Sequence, residues 1–354
     1  MKLVMIAAGG TGGHIYPALS FAEQLKQEGI TSVFVGSDDR LEAGMIPKAG
    51  YEFIPLHLPT PQGGITSKMV YGWNMAKTYF RCRTLLQNRK PDACVGFGNY
   101  ISVPLILAAH HLKIPVMISE QNSFAGKANV FLGRYADAVE LAYESSARDF
   151  DSSRTKVLGN PRSLELRDAQ KDENLIRSYG VDPDRPFVAV MMGSLGSASM
   201  SEVIDQACDL FGDFQVLISV GMKNDYAFHC QKENVHTLPY IDGSKVLLSC
   251  DLAVCRAGAT TLAELAMAEC PAVLIPSPFV PNNHQVYNAM ELVEKGAAVM
   301  IEERDLTPQK LADTVNGLMN DEQARNAMRR CAAELAKPDA AKDMTEWLKE
   351  ICRK

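Results

Sequence analysis

Short apolar runs alternate with amphipathic stretches along most of this chain, and this alternation limits the possible folds most strongly. Leu3–Ala8 predicts a buried strand, and apolar residues at helical spacing from Ile15 to Leu25 predict a helix that Gly29 ends. The same reading predicts further strands at Ser32–Val35, Ala93–Val95, Val116–Ile118, Phe187–Met192, Phe214–Val220, Asp251–Cys255, Ala272–Pro276 and Ala297–Ile301. Strands that alternate with helices form βαβ units, so the sequence predicts an α/β fold with doubly wound parallel sheets.

The alternation occurs in two series, separated by a charge-dense, apolar-poor stretch from Arg162 to Arg185. A chain of 354 residues is long enough for two domains, each with its own core. We expect one Rossmann-like domain over residues 1–161 and a second over residues 162–338. Residues 339–354 predict a helix whose apolar pattern suits either domain, and we expect it to return to the first.

Composition and charge exclude several classes of protein. Apolar residues make up 47% of the chain, which is too many for a disordered protein, and the net charge of -6 argues against nucleic-acid binding. No apolar run approaches the roughly 18 residues of a membrane-spanning helix, and the run before Gly9 is too short for a signal peptide. Nine scattered cysteines without a Cys-x-x-Cys motif are typical of free thiols in a reducing cytoplasm.

Four glycines lie between the first predicted strand and helix, in the segment Gly9–His14. Glycines at such a turn leave backbone N–H groups uncovered at a helix N-terminus, which can bind the phosphate of a nucleotide or phospholipid. The simpler interpretation is a tight turn, although a turn needs only one or two glycines. A dinucleotide-binding fingerprint is incomplete, because Ile15 stands where its third glycine is required.

Glycine turns also follow two other predicted strands, at Gly96–Tyr100 and Gly193–Ser197. In the second half, Cys255–Thr261 leads through small residues into a helix whose free N–H groups suit a diphosphate. Glu264 lies one turn inside that helix, within reach of ribose hydroxyls, and an ordinary solvated glutamate is an equal alternative. The amides of Asn282–Gln285 suit sugar hydroxyls or simply begin a helix. We expect both domains to present these loops across a shared cleft.

Five segments together resemble the MurG family, whose members are GT-B-fold glycosyltransferases that add N-acetylglucosamine to the membrane-bound peptidoglycan precursor lipid I. The segments are Gly9–His14, Ser119–Asn122, Gly159–Pro161, Arg256–Glu264 and Asn282–Gln285. The resemblance implies two Rossmann-like domains facing a cleft, UDP-N-acetylglucosamine as donor, and lipid I as acceptor. It further implies partners in cell-wall synthesis or division, and neither a cofactor nor a metal ion.

The family pattern assigns roles to individual residues, with Glu264 at the ribose, the backbone of Ile241 at the uracil and Gln285 at the sugar. The residues assigned to the donor are Thr11, Gly12, Gly13, Asn122, Ser194, Ile241, Ala259, Thr260, Thr261, Glu264 and Gln285, with Arg162 in place of a family arginine. Those assigned to the acceptor diphosphate are Gly10, Thr11, Gly12, Gly13, Gly98, Asn99 and Tyr100.

The chain departs from the family pattern at several of these segments. Asn99 replaces a glycine that is common in the second glycine turn, and Ser119 stands where histidine is frequent. Leu195 stands where glutamine is frequent. The family arginine comes two places after Gly-Asn-Pro, where this chain has Ser163, whereas Arg162 follows the motif at once. These changes affect the arginine contact and the grip of the second turn on the acceptor.

The positive charge is concentrated in one segment, Phe53–Pro91, which has six basic residues and no acidic residue. Within it the spacing predicts a helix from Ile65 to Leu86. We expect one stripe of this helix to pack on the sheet, namely Ile65, Met69, Trp73, Ala76 and Phe80. Aromatic residues bordered by cations suit the interface of an anionic membrane. The residues expected to contact the membrane, on its cytoplasmic side, are Tyr71, Met75, Lys77, Tyr79, Arg81 and Arg83.

The resemblance also implies a mechanism. The donor sugar is α-linked to UDP and the family product is β-1,4-linked, so we expect a single inverting displacement. His14 is the expected general base, because an unperturbed histidine titrates near neutrality; the alternative is a histidine that only orients its loop. The helix N-terminus after Gly258 would stabilise the leaving UDP without a metal, since no Asp-x-Asp lies in a plausible metal position and Asp182–Asp184 lies in the linker. Domain closure would exclude water.

Two other functions stay open at this point. A UDP-sugar epimerase on the same two-domain scaffold would need no lipid-facing surface. A non-catalytic sensor of nucleotide sugars or wall precursors would bind these ligands without turnover. A nicotinamide reductase is disfavoured, because the third glycine of its fingerprint is missing.

Overall fold

A computed structural model describes residues 1–58, 65–193, 198–222 and 224–353, with only the backbone described at 65–69 and 198–199. The chain divides into two compact units. The first comprises Met1–Leu164 together with Asp339–Lys354, and the second comprises Glu165–Pro338. Each unit is built around one parallel sheet.

The first unit has a seven-stranded sheet with helices packed on its two faces. Its strands are β1 (Leu3–Ala7), β2 (Thr31–Ser37), β3 (Glu52–Leu56), β4 (Ala93–Gly96), β5 (Val116–Glu120), β6 (Ala138–Leu141) and β7 (Thr155–Val157), in the order β3-β2-β1-β4-β5-β6-β7. Its helices are α1 (Gly12–Gln27), α2 (Leu41–Lys48), α3 (Ile65–Arg89), α4 (Ser102–His111) and α5 (Lys127–Leu132), and it includes the last helix of the chain, Ala340–Ile351. Short 3₁₀ turns lie at Glu144–Asp149, Ser152–Arg154 and Pro161–Ser163.

The second unit has a six-stranded sheet. Its strands are β8 (Phe187–Met191), β9 (Gln215–Ser219), β10 (Val235–Leu238), β11 (Leu252–Cys255), β12 (Ala272–Leu274) and β13 (Ala298–Met300), in the order β10-β9-β8-β11-β12-β13. The helices from the start of this unit onward are α6 (Leu164–Arg167), α7 (Glu173–Ser178), α8 (Ala198–Cys208), α9 (Gly243–Leu247), α10 (Ala259–Met267), α11 (His284–Val293), α12 (Pro308–Asn320) and α13 (Glu322–Leu335). The last helix of the chain, Ala340–Ile351 in the first unit, is α14. Its 3₁₀ turns are Pro281–Asn283 and Glu303–Asp305.

Both sheets reverse their strand order next to the first strand of the unit. β1 lies between β2 and β4, and β8 lies between β9 and β11, with every pair parallel. In doubly wound sheets ligands bind at the carboxyl ends of the strands at such a reversal. The predicted α/β class with two Rossmann-like sheets is therefore confirmed, and the topology identifies one candidate ligand edge in each unit.

Four strands were not predicted from the sequence, and three of them are sheet edges. β3 and β7 are the outer strands of the first sheet, and β10 is an outer strand of the second. An edge strand is solvated along one side, so it lacks the continuous apolar run of a central strand, and it tolerates a proline such as Pro55 in β3. The fourth strand, β6, is buried, but Glu140 interrupts its apolar run.

The predicted orientation of α3 is wrong. Trp73 and Phe80, which were expected in the core, are both 64% exposed. Met75 and Tyr79, which were expected at the membrane, pack against the core cluster that includes buried Cys82. Trp73 and Met75 are two positions apart, so they point to opposite sides of the helix. The face that was expected to be buried is therefore the exposed one, and the face that was expected to be exposed is buried.

The physical reason for this error is that both stripes of α3 are apolar, so periodicity alone cannot select one. In the structure α3 packs along α4, and the small side chains of Thr78 and Cys82 are buried at that side. Tyr71, also expected at the membrane, lies with its ring centroid 6.2 Å from that of Tyr100. Lys77 and Arg81 are exposed as expected, whereas Arg83 is half-buried. Among the described residues, no helix has the combined length and apolarity to span a bilayer.

The last helix, α14, is part of the core of the first unit. Met344, Trp347, Leu348 and Ile351 join the apolar cluster that lies between the sheet and α1. Lys156 of β7 places its ammonium 4.7 Å from the centroid of the Trp347 ring. Burial of four large apolar side chains, at about 1.5–3 kcal/mol each, explains why this segment stays with the first unit.

Candidate active site

The first glycine loop joins β1 to α1 and contains the predicted base. Thr11 is the N-cap of α1, with extended backbone, but its side chain does not cap the helix N–H groups. Its hydroxyl instead lies 3.1 Å from His14 Nδ1. This contact orients the imidazole, and the N–H groups of Gly12 and Gly13 lie in a first turn without a side-chain cap.

The second glycine loop, after β4, lies against the first. A Cβ atom on Gly98 would be 3.2 Å from His14 Nε2, so glycine at this position allows the close approach of the imidazole. Asn99 adopts a left-handed conformation, with φ of 64°, and its side-chain amide donates to the carbonyl of Gly9. Its Oδ1 accepts from the backbone N–H of Tyr100. The asparagine that departs from the family pattern thus joins the two loops.

Gly10, which is assigned to the acceptor diphosphate, has its backbone N–H bonded within the first unit. This N–H donates to Glu42 Oε2 at 2.9 Å, and the acceptor assignment of Gly10 stays a prediction. Gly10 has φ of 85°, so its contribution is the left-handed turn that the loop requires. Glu42 was missed, because a glutamate at the start of α2 resembles a solvated helix residue. The sequence signal that could have revealed Glu42 was Gly36 in β2, because a glycine within a strand often marks a place where another group packs closely against the backbone.

Asn122 follows β5 and is held by a buried carboxylate. Glu120 Oε1 accepts from both the backbone N–H and the side-chain amide of Asn122, at 3.0 and 3.1 Å. Glu120 Oε2 accepts from the backbone N–H of Gly126 and from Asn129 Nδ2, each at 2.9 Å. Four hydrogen-bond donors thus surround the Glu120 carboxylate and fix the conformation of the loop after β5. Asn122 in this loop lies at the same edge of the sheet as the two glycine loops.

A second buried carboxyl, Glu140 of β6, lies beside this loop and was also missed. Its Oε2 accepts from the Ser119 hydroxyl at 2.5 Å, and the Ser119 hydroxyl accepts from Gln121 Nε2 at 2.7 Å. Burial, together with the nearby Glu120 carboxylate, raises the pKa of Glu140 to about 8, although the Ser119 hydrogen bond opposes this shift. At neutral pH the Glu140 carboxyl is therefore mostly protonated.

The structure does not present an arginine where the family pattern has one. Ser163 occupies that position and is buried. The guanidinium of Arg162 lies 5.0 Å from the centroid of the Tyr16 ring, on the outward side of α1. A cation held over an aromatic face is a favourable contact within the first unit. Arg162 is thereby positioned by Tyr16, and its assignment to the donor stays a prediction.

In the second unit, the N-terminus of α10 follows β11 at the reversal of the sheet. Gly258 is the N-cap and has no side chain to cap the helix, so the backbone N–H groups of Ala259, Thr260 and Thr261 begin the helix uncapped. The partial positive charge of a helix N-terminus favours a phosphate at this place. Ala259, Thr260 and Thr261, three of the residues assigned to the donor diphosphate, therefore lie together on one turn of helix.

Glu264 lies in the second turn of α10, and Ser244 of α9 donates to its Oε1 at 3.2 Å. The hydroxyl holds the carboxylate in one orientation at the carboxyl end of β11. Ile241 precedes α9 and is buried, and the next backbone N–H, of Asp242, donates to the Tyr179 hydroxyl at 3.0 Å. The uracil and ribose assignments thus come from adjacent segments after β10 and β11.

Gln285 is the second residue of α11, the next α-helix after β12. Its Oε1 accepts from the backbone N–H of Ser277 at 2.8 Å, so the side chain is anchored to the end of that strand. Asn282 and Asn283 both adopt the left-handed conformation, which asparagine tolerates better than most residues, and this turns the chain into α11. Ser194, assigned to the diphosphate, lies outside the described residues, as does Leu195.

Two doubly wound units whose strand ends carry glycine turns and an uncapped helix N-terminus have the architecture of the GT-B fold. Comparison with protein families assigns both units to one glycosyltransferase family. Residues 4–140 match the model of the glycosyltransferase family 28 N-terminal domain, and residues 187–344 match that of the family 28 C-terminal domain.

Relatives with full-length similarity narrow the class. The chain is 35% identical to the UDP-N-acetylglucosamine--N-acetylmuramyl-(pentapeptide) pyrophosphoryl-undecaprenol N-acetylglucosamine transferase of Listeria monocytogenes serovar 1/2a, over 99% of both chains. It is 36% identical to the second enzyme of that name from Bacillus thuringiensis, over 99% of this chain and all of the relative. The crystal structure of Acinetobacter baumannii MurG superposes with a TM-score of 0.81, at 28% identity, over 99% of this chain and 100% of that one. The chain belongs to the MurG family of glycosyltransferases.

This assignment confirms the resemblance drawn from five segments of sequence. A putative UDP-N-acetylglucosamine 2-epimerase from Listeria monocytogenes also superposes, with a TM-score of 0.71 over 98% of this chain, but at 12% identity it shares the fold alone. The full-length sequence similarity therefore separates the transferases from the epimerase scaffold.

Proposed function

We propose that this chain transfers N-acetylglucosamine from UDP-N-acetylglucosamine to the 4-hydroxyl of the N-acetylmuramic acid of lipid I. The products are lipid II, with a β-1,4 link, and UDP. The observation that carries this proposal is the 35% identity, over 99% of both chains, to a transferase named for this donor and acceptor. The activity belongs to peptidoglycan synthesis, and its cellular partners are the machinery of wall growth and division.

The uracil, the ribose and the diphosphate of the donor are assigned to the second unit. The diphosphate accepts hydrogen bonds from the first turn of α10, and Glu264 accepts from the ribose hydroxyls in the orientation that Ser244 supports. The side chain of Gln285, which is hydrogen-bonded to the backbone of Ser277, contacts the sugar, and the backbone of Ile241 hydrogen-bonds the uracil. The helix N-terminus also stabilises the charge that develops on UDP as it leaves.

The acceptor is assigned to the first unit, at the two glycine loops. His14 takes the proton of the acceptor hydroxyl, which then attacks the anomeric carbon as UDP departs on the opposite face. The contact between the Thr11 hydroxyl and His14 Nδ1 supports this role, because it holds the imidazole in one orientation at the first glycine loop. Tyr100 of the second loop contacts Tyr71 of α3, which brings the acceptor loops next to that helix.

Removal of the Glu264 carboxylate tests the donor assignment. We expect Glu264→Ala to raise KM for UDP-N-acetylglucosamine by about 10- to 100-fold, because a hydrogen bond to a charged group contributes about 1.5–3 kcal/mol. The acceptor KM should stay within about twofold. Steady-state kinetics with each substrate varied in turn measure both values. Glu334→Ala, at an exposed position of α13, is the control, and equal donor KM values for the two variants would contradict the assignment.

We place the membrane contact on the exposed face of α3. Val70, Trp73 and Phe80 are 59%, 64% and 64% exposed, and they share this face with Lys77 and Arg81. The Lys77 ammonium lies 5.5 Å from the centroid of the Trp73 ring. Exposed aromatic side chains bordered by cations favour the interface of an anionic bilayer. The protein then works as a peripheral protein on the cytoplasmic side, where lipid I presents its sugar.

Charge reversal on this face tests the membrane contact. We expect Lys77→Glu with Arg81→Glu to weaken binding to anionic vesicles by at least about 30-fold, since each basic residue near such a surface contributes about 1 kcal/mol. Sedimentation with phosphatidylglycerol vesicles measures this binding. The matched control reverses Lys342 and Arg353, which are exposed at α14 on the opposite face of the sheet. Equal losses in both double variants would indicate a general charge effect and contradict the assigned face.

Sugar transfer itself is the test of the proposed function. Purified protein receives radiolabelled UDP-N-acetylglucosamine and a synthetic lipid I analogue, and we expect label in the lipid product with one UDP released per transfer. Conversion of the nucleotide sugar without an acceptor would instead indicate an epimerase. Binding of the donor without any product would indicate a sensor.

A further inference from the structure

Glu42 makes contacts that its place at the start of a surface helix does not require. Its side chain is fully buried, at 0% exposure. Oε2 accepts from the backbone N–H of Gly10 at 2.9 Å, and Oε1 accepts from the backbone N–H of Ser37 at 3.0 Å. One carboxylate therefore joins the loop after β1 to the end of β2.

Two glycines leave the volume that this side chain occupies. A Cβ atom on Gly9 would overlap the Glu42 carboxylate, and one on Gly36 would lie 2.8 Å from Glu42 Cγ. A side chain at either position would push the carboxylate off its two donors. The glycine at position 9 thus serves Glu42, independently of any phosphate.

The contact leads directly to the reacting end of α1. Gly10, held by Glu42, turns the chain with φ of 85°, and the next residue is the N-cap Thr11. The Thr11 hydroxyl in turn contacts His14 Nδ1 at 3.1 Å. A shift of the Gly9–Gly10 turn would therefore move the N-cap and the imidazole together.

We propose that Glu42 is a positioning residue for sugar transfer. Its carboxylate fixes the Gly9–Gly10 turn, and the turn sets the place of the first α1 turn and of His14 against the acceptor. The inference rests on the proposed function. The role is distinct from catalysis, because Glu42 is shielded from solvent and acts only through the backbone.

The test is Glu42→Gln in the full chain. Glutamine has the same shape, but its amide group presents N–H to one of the two backbone donors, so one hydrogen bond becomes a repulsive contact. We expect kcat to fall at least about tenfold and the acceptor KM to rise severalfold, with the donor KM within about twofold. Misplacement by about 1 Å can cost on the order of a hundredfold in rate. Simple loss of folded protein would lower the apparent kcat and leave both KM values unchanged.

Glu23→Gln is the matched control, since Glu23 also lies in the first unit and accepts a hydrogen bond, from the Tyr51 hydroxyl at 2.9 Å. We expect this variant to keep all three constants of the wild type. Gly9→Ala places a methyl group where the Glu42 carboxylate lies and so displaces it. This variant should also raise the acceptor KM and leave the donor KM within about twofold. Combined with Glu42→Gln, its effect should be less than additive, because both changes break one contact.

The outcomes separate the two proposals. Transfer by every variant with unchanged constants, or fully additive effects in the double variant, would overturn the positioning role alone. Absence of transfer by the wild-type chain and by Glu23→Gln would overturn the proposed function, and the role in transfer with it.

Discussion

His14→Ala is expected to lower kcat for sugar transfer by about 100- to 10,000-fold, the range that general-base assistance typically supplies. The donor KM should change little, because the residues assigned to the donor diphosphate and ribose belong to the second unit. The imidazole lies between the Thr11 hydroxyl and the Gly98 turn, so its loss removes a proton acceptor at the acceptor loops. Single-turnover transfer to a lipid I analogue measures the effect directly.

Two further variants separate base chemistry from loop geometry. His14→Asn keeps a polar group near the Thr11 hydroxyl but provides no base, so it should be nearly as slow as the alanine variant. His57→Ala removes an exposed histidine of the same unit, which contacts Asp38, and should leave turnover unchanged. A loss of less than about tenfold in His14→Ala would remove the base role and leave His14 as a residue that orients its loop.

Glu140→Gln is expected to stabilise the first unit, increasingly so as the pH rises. Burial raises the pKa of the Glu140 carboxyl to about 8 in the folded chain, from an ordinary value of 4.5. The folded state holds this proton more tightly than the unfolded state, so the stability it contributes is complete below about pH 4.5. That contribution is lost as the pH rises toward the folded pKa, at about 1.4 kcal/mol per pH unit. Glutamine, which does not titrate, should gain on the order of 4 kcal/mol over the wild type at pH 8.

Thermal unfolding at pH 5 and pH 8 measures this difference. The wild type and the glutamine variant should have similar midpoints at pH 5, and the variant should unfold several degrees higher at pH 8. The control is Glu144→Gln, an exposed position just after β6, which should shift neither midpoint. A constant difference between wild type and Glu140→Gln at the two pH values would show that Glu140 does not titrate in this window.

Much of the candidate site could be predicted from the sequence, because its parts are local. A glycine turn between a strand and a helix is visible in Gly9–His14, and β11 and β12, which precede Glu264 and Gln285, are central and apolar. Glu264 lies in the second turn of α10, which follows β11, and Gln285 lies in the first turn of α11, which follows β12 after the 3₁₀ turn Pro281–Asn283. The supporting carboxylates were not predictable in this way. Glu42 lies 32 residues along the chain from Gly10, whose N–H donates to it, and Glu140 lies 21 residues from Ser119, whose hydroxyl donates to it.

The exposed surface of α3 shows the same limit. Its start at Ile65 and its excess of positive charge were predicted from the sequence, but the helix continues past the predicted end at Leu86 to Arg89, and the prediction of its buried face was wrong. Trp73 and Phe80 face outward because α4 packs against the side with Thr78 and Cys82. When both faces of a helix are apolar, the partner helix decides which one is buried, and the partner is unknown until the chain has folded.

The sequence by itself determined the two α/β units, the glycine turns at their strand ends and the family, since each depends on short-range pattern or on ordered motifs. Only the tertiary structure decided which stripe of α3 is exposed, which strands form the sheet edges, and which buried carboxyls hold the loops after β1 and β5. The reason is physical. Backbone turns and periodicity follow from neighbouring residues, whereas burial and hydrogen bonding of a side chain depend on groups that folding brings from distant parts of the chain.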